Sequence, residues 1–130
     1  LELFPDSRLV CILRDPRDMI ATHIRRRYAP SRIEYAVAYV RDIMESWWRL
    51  RDRLPQESFI EITLEDLVDK KELSLRKACE HYQLPWDPAV LTYDVGGNNT
   101  GRWRREIPER DHDRFLSAIN GLTEEMGYAT

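Results

Sequence analysis

The sequence predicts an α/β fold with two short parallel strands and several helices. Three observations carry this expectation. Residues 8–13, RLVCIL, hold a continuous apolar run of the kind found in strands covered on both faces. Residues 33–54 place apolar side chains at 33, 36, 37, 40, 43, 44, 47, 50 and 54, a broad helical stripe. Residues 58–64, SFIEITL, return to the alternation of a strand. A strand, a helical crossover and a second strand make a right-handed βαβ unit with its strands in parallel.

The first strand lies between Asp6-Ser7 and the Arg14-Asp15-Pro16 break, and its composition predicts burial on both faces. Asp15 is then placed as an N-cap and Pro16 at N1. Asp18 falls at N3, where a carboxylate complements the positive end of a helix. That helix runs through Ile20 and Ile24 to about Tyr28, and Pro30 ends it.

On the long helix, Arg41, Glu45, Arg49 and Asp52 fill the face opposite the apolar stripe. Glu45 and Arg49 form an i,i+4 pair, and Pro55 is the stop. Trp47 belongs to the stripe and Trp48 flanks it. After the second strand, Asp69 and Glu72 have capping-box-like spacing, with Val68 and Leu73 placed as a hydrophobic staple. The helix they open runs from Lys70 to about Gln83, buries Leu75, Ala78, Cys79 and Tyr82, and closes before Pro85. Residues 93–106, YDVGGNNTGRWRRE, read as a basic loop. From Asp111, Phe115, Leu116, Ile119, Leu122 and Met126 restore helical spacing, with Gly121 as a candidate break.

Composition narrows the classes of function. A chain of 130 residues fits one domain, and 42% hydrophobic with 33% charged residues describes a folded protein rather than a disordered one. No apolar run reaches the roughly 18 residues of a membrane span, and LELFPDSR lacks the features of a signal peptide, so a cytoplasmic location is expected. Cys11 and Cys79 make no disulfide framework and read as small buried hydrophobes in a reducing setting. His23, His81 and His112 have no metal-ligand spacing, and no metal is expected. A net charge of −3 does not favour nucleic acid as a partner. Seventeen of the twenty basic residues are arginine, the side chain best shaped for bidentate phosphate recognition, although a genome rich in G and C gives the same bias.

Two segments carry candidate chemistry. In RDPRDMIAT, residues 14–22, Arg14 leaves the carboxyl end of a parallel strand, where open α/β sheets bind ligands, beside a helix start that attracts anions. Thr22 lies two turns into that helix and can face the same side. The same residues also read as no more than a capped helix start. In GGNNTGRWRRE the glycines admit backbone N–H groups to a phosphate and the arginines neutralise it; a polar surface loop with a packed Trp103 accounts for the pattern equally well. His23, beside Thr22, has the chemistry of a general base but no identifiable nucleophile partner.

The order of these parts resembles the C-terminal half of the sulfotransferase family, which uses 3′-phosphoadenosine 5′-phosphosulfate (PAPS). LFPDSRLVCILRDPRDMIAT resembles the family's 3′-phosphate-binding strand and helix, in which an arginine and a serine eight positions later hold the phosphate. Those positions are Arg14 and Thr22 here. TLEDLV resembles a strand-end Tyr-Glu-Asp-Leu segment, with Leu64 where some members carry a tyrosine. GRWRREI is similar to the late basic loop over the 3′-phosphate, and LTEEMGY to the terminal helix.

The resemblance implies a partial P-loop-NTPase-like fold, residues 1–130 being the C-terminal portion of one sulfotransferase domain. It implies PAPS as cofactor, a hydroxyl or amine acceptor as partner, and Arg14, Thr22, Gly101, Arg102, Trp103 and Arg104 as cofactor-binding residues. No glycine-rich phosphate loop occurs in the sequence, the only close glycines being Gly96, Gly97 and Gly101. The 5′-phosphosulfate loop and the catalytic base are therefore expected upstream of Leu1, and this chain alone is expected to be inactive. Two alternatives stand beside this reading. One is a non-catalytic helical interaction module with a small βαβ core, presenting Tyr39 and Trp48 to a partner; the other is a fragment of a P-loop kinase.

Overall fold

The computed structural model describes residues 6–28, 32–94 and 100–128. Two strands, β1 (Leu9–Leu13) and β2 (Phe59–Thr63), pair in parallel, from Leu9 opposite Phe59 to Leu13 opposite Thr63. Between them come α1 (Pro16–Arg26) and α2 (Ile33–Arg51). After β2 follow α3 (Leu64–Asp69), α4 (Lys71–Tyr82), the one-turn α5 (Trp103–Glu106) and α6 (His112–Glu125). Short 3-10 turns occupy Gln56–Ser58, Pro88–Thr92 and Glu109–Asp111. The α/β class and the parallel pairing are as the sequence predicts. The chain divides into two compact units, Leu1–Leu13 with Leu50–Asn98, and Arg14–Arg49 with Asn99–Thr130.

The first unit holds the strands, and they are less covered than their composition predicts. Ile12 is 51% exposed and the rest of β1 is only half-buried. Ile62 is the one buried apolar side chain of this unit among the described residues. Among the described residues each strand has a single hydrogen-bonded partner, in a two-stranded sheet.

β2 runs straight into α3 because Thr63 caps it, its hydroxyl accepting the Asp66 N–H at 3.0 Å, with Glu65 and Asp66 in the first turn. The expected helix from Lys70 to about Gln83 is α4, and the short helix α3 ahead of it, opening at Leu64, was not expected. Asp69 is the last residue of α3 rather than a cap, and α4 opens after a break at Lys70 with no side-chain cap. The expected Val68–Leu73 staple does not form, since Leu73 is exposed. The break resets the phase of α4, so Ser74 and His81, seven residues apart, are its buried positions. Leu75, Ala78 and Cys79 are half-buried and Tyr82 is exposed. Cys11 is also half-buried, and burial, with Glu61 nearby, pushes its thiol pKa up.

The second unit contains nearly all of the described core. Ile20, Val40, Phe115, Ile119 and Leu122 are almost fully buried there. α1 starts as predicted: Asp15 is the N-cap, its Oδ1 accepting the Arg17 N–H at 2.9 Å, and Pro16 is the first helical residue. It ends earlier than expected. Arg27 adopts the left-handed conformation and closes a Schellman turn, with Tyr28 N–H donating to the His23 carbonyl and Arg27 N–H to that of Ile24. Pro30 lies outside the described residues.

On α2 the stripe is buried at Ile33, Ala36, Val37, Val40 and Met44, whereas Ile43 is exposed and Trp47 and Trp48 are both half-buried. Arg49 and Glu45 pair at 3.5 Å, as their spacing predicts. α6 runs without interruption through Gly121, the candidate break.

Candidate functional site

Arg14 follows β1 directly, and the predicted Arg14–Thr22 pair is formed. Arg14 Nη1 donates to Thr22 Oγ1 at 3.4 Å. Asp18 and Thr22 lie four residues apart on one face of α1, and Arg14 stands just before its N-cap Asp15. Asp18 lies 3.8 Å from Arg14 Nη2 and is fully buried.

Asp18 accepts from the other end of the site. Its Oδ2 takes the Gly101 N–H and its Oδ1 the Trp103 N–H, each at 2.8 Å. These two bonds curl residues 101–103 around one carboxylate and start the helical turn α5, which explains why part of the predicted loop is helical. Gly101 is required at the bend: its φ is +74°, and a Cβ there would come within 2.8 Å of Arg104 Nη1. Gly96 and Gly97 lie outside the described residues.

The arginines of this region divide by partner. Arg17 forms a close bidentate pair with Asp15, with contacts from 2.7 to 3.1 Å, and this hydrogen bonding holds its guanidinium firmly protonated. The N-cap carboxylate therefore already occupies the start of α1, where the sequence placed an anion-attracting end. Arg102 pairs with Glu106 Oε1 at 2.5 Å, and Arg25 reaches the same oxygen at 2.9 Å. Arg104 lies over the Trp103 ring, 4.6 Å from its centroid, with an exposed side chain.

Trp103 is only 4% exposed, its ring set against His112 at 5.2 Å and Phe115 at 5.7 Å. It enters the site through its main chain, while the indole anchors the turn in the core. His112 is fixed by its own contact, Nε2 with the Ile107 carbonyl at 2.9 Å; an N–H on Nε2 is required to donate there.

His23 packs edge-on against Tyr28 and Tyr39, with centroids 5.9 and 5.5 Å away, and burial lowers its pKa. Its surroundings are those of a packed aromatic residue, and Tyr39 on the long helix is engaged with it. Among the described residues no three His, Cys, Asp or Glu side chains gather as a metal site, and no helix is long and apolar enough to cross a membrane.

Sequence reasoning brought Arg14, Thr22 and the 101–104 turn forward but missed the residue that joins them. Asp18 was assigned to the helix dipole. The available signal was redundancy: Asp15 already caps α1, so a second acid at N3, four residues from both Arg14 and Thr22, has another task. Glu106 collects Arg25 and Arg102; the i,i+4 spacing of Arg102 and Glu106 was its available signal, and Arg25 had none.

A parallel strand pair with helices, and an arginine directly after the first strand held against the following helix, define an α/β protein with a basic site beside that helix. The profile of the sulfotransferase family matches residues 1–88, and the chain belongs to that family. No curated protein matches the sequence. The matched stretch contains Arg14, Asp18 and Thr22 and stops before the 101–104 turn, whose place in the site rests on the Asp18 hydrogen bonds.

Proposed function

We propose that this chain holds the 3′-phosphate end of PAPS for transfer of a sulfuryl group to an acceptor hydroxyl or amine. In this reading both units are parts of one sulfotransferase domain. The observation that carries it is the Arg14–Thr22 contact at 3.4 Å on the helix face where Asp18 also secures the arginine turn. The chemistry of the donor set fits an anion. Residues 14–25 and 101–106 contribute six arginines against three carboxylates, and the Arg14 side chain keeps 17% of its surface open to solvent.

When bound, PAPS supplies the sulfuryl group; the residues of this chain bind and orient. Arg14 presents a planar fork to the 3′-phosphate, and the Thr22 hydroxyl can donate to a phosphate oxygen while accepting from Arg14. Arg104, exposed on the turn that Asp18 holds, adds positive charge. Such binding separates PAPS from nucleotides without a 3′-phosphate. Sulfuryl transfer, like phosphoryl transfer, depends on positioning and on stabilising charge at the transferred group. The sequence carries no glycine-rich loop of the kind that grips a 5′-phosphosulfate, so the reading gives this chain cofactor binding and no transfer by itself.

Titration calorimetry with 3′,5′-diphosphoadenosine and 5′-AMP tests the reading. The 3′-phosphorylated nucleotide is expected to bind more tightly, and Arg14→Ala to remove about 1.5–3 kcal/mol of that difference, the worth of a charge-assisted hydrogen bond. Equal binding of the two nucleotides, or a preference that survives Arg14→Ala, refutes it.

A further inference from the structure

We propose that Asp18 is the positioning residue that sets the distance between Arg14 and the arginine turn, and so determines how strongly the site discriminates for a 3′-phosphate. The inference rests on the PAPS reading above.

A fully buried carboxylate is costly unless its oxygens are satisfied and its charge is offset. Asp18 meets both conditions in a way that costs it any role as a simple helix-dipole residue. An N3 carboxylate commonly reaches back to the N-cap N–H of its own helix. Here it accepts instead from Gly101 and Trp103, 83 and 85 residues away, each at 2.8 Å. Both oxygens are used, one per amide, so the carboxylate plane fixes the path of the backbone from Gly101 to Trp103. Arg102 and Arg104 leave the chain from that stretch.

The same side chain acts on Arg14 through charge rather than by a locked pair. Arg14 Nη2 lies 3.8 Å from Asp18 Oδ2, whereas Arg17 and Asp15 meet at 2.7 Å. The contrast separates two jobs carried out on one turn of helix. Asp15 and Arg17 close on each other and cap α1. Asp18 orients Arg14 toward Thr22 while its oxygens are spent on amides. An anion bound by Arg14 and the turn therefore meets a geometry that Asp18 has set in advance, and preorganised donors of this kind lose little on binding.

Asparagine at 18 keeps the volume of the side chain and alters its chemistry. One oxygen still accepts, but the amide nitrogen opposes a backbone N–H, donor against donor, and the charge facing Arg14 is gone. The test measures the Kd values of 3′,5′-diphosphoadenosine and 5′-AMP for the wild-type chain and for Asp18→Asn, each well below its own unfolding temperature. The expected result is a wild-type preference of at least tenfold for the 3′-phosphorylated nucleotide. Asp18→Asn is expected to reduce that preference at least fivefold with the AMP affinity nearly unchanged.

A preference that Asp18→Asn leaves intact overturns the inference while the PAPS reading stands. So does an equal loss of both affinities, which marks Asp18 as merely structural. Absence of any preference in the wild-type chain overturns the PAPS reading and this inference with it. If Asp18→Asn does not fold, Asp18→Glu carries the comparison, because it retains the charge and both acceptors but displaces them by one methylene. A lost preference then supports the proposal and a retained one overturns it.

Discussion

Replacing Gln83 by glycine should stabilise the protein, and the size of the gain follows from how three helices end. α1, α4 and α6 all close in Schellman turns. Gln83 N–H donates to the Glu80 carbonyl and Leu84 N–H to that of Cys79; Gly127 and Tyr128 repeat the pattern on Glu124 and Thr123. Only the last of the three uses glycine at the left-handed position. Gln83 sits there at φ 58°, ψ 34°, and Arg27 at φ 58°, ψ 29°. For an L-residue that conformation costs about 1–2 kcal/mol, which glycine escapes. Glycine in turn gives up about 0.5–1 kcal/mol through the greater freedom of its unfolded chain.

The Gln83 side chain is exposed, and among the described residues it forms no side-chain hydrogen bond that substitution would remove. Gln83→Gly is therefore expected to gain about 0.5–1 kcal/mol, a rise of a few degrees in Tm for a chain of this size. Urea unfolding followed by circular dichroism measures it, with Gln83→Ala as the control that keeps the penalty and stays near wild type. A Gln83→Gly variant less stable than Gln83→Ala refutes the argument, because the left-handed backbone would then carry no cost for an L-residue.

Two further outcomes follow from single residues. Gly121 lies inside the continuous α6, where a Cβ would rest 3.6 Å from Arg41 Nη2 in ordinary contact; Gly121→Ala is expected to add up to about 1 kcal/mol, read from the urea midpoint. The His23 pKa is lowered by burial, so the unfolded chain takes up a proton more readily than the folded one. His23 should favour folding above the ordinary histidine pKa, and that contribution should fade as pH falls from there toward the depressed folded value. His23→Phe, which keeps a ring beside Tyr28 and Tyr39, should flatten the stability profile between about pH 5 and 7.

Periodicity was the most legible property of this chain, and it was reliable where packing is local. The two strands, the long helix with its Glu45–Arg49 pair, and the Asp15-Pro16 helix start were readable because each depends on neighbours within a turn or two, whereas the parallel order of the strands followed from the helical crossover between them. Errors arose where several signals competed for one segment. At 63–72 both Thr63 and Asp69 have cap-forming side chains, and spacing alone does not rank them. Thr63 prevails because it stands at the end of β2, where the chain can turn at once, and the position of the break at Lys70 then decides which face of α4 is buried. Gly121 misled in the opposite way. A glycine costs a helix about 1 kcal/mol, too little to break one whose Phe115, Ile119 and Leu122 are all buried.

The candidate site shows the same division more sharply. Arg14 and Thr22 were legible as a pair through the family resemblance, which sets an arginine and a hydroxyl eight positions apart, with Thr22 two turns into the helix that follows Arg14. The turn at 101–104 was legible only as a basic segment, since nothing in its spacing says what it touches. The link between them is a charge that looked redundant. Two carboxylates stand within the first turn of α1, and one suffices to cap it; burying the second would be unfavourable without partners from elsewhere in the chain. The Gly101 and Trp103 amides are those partners. A surplus acid at a helix start that is already capped is thus a reason to look for a distant backbone that needs an acceptor. In this chain that backbone is the arginine turn.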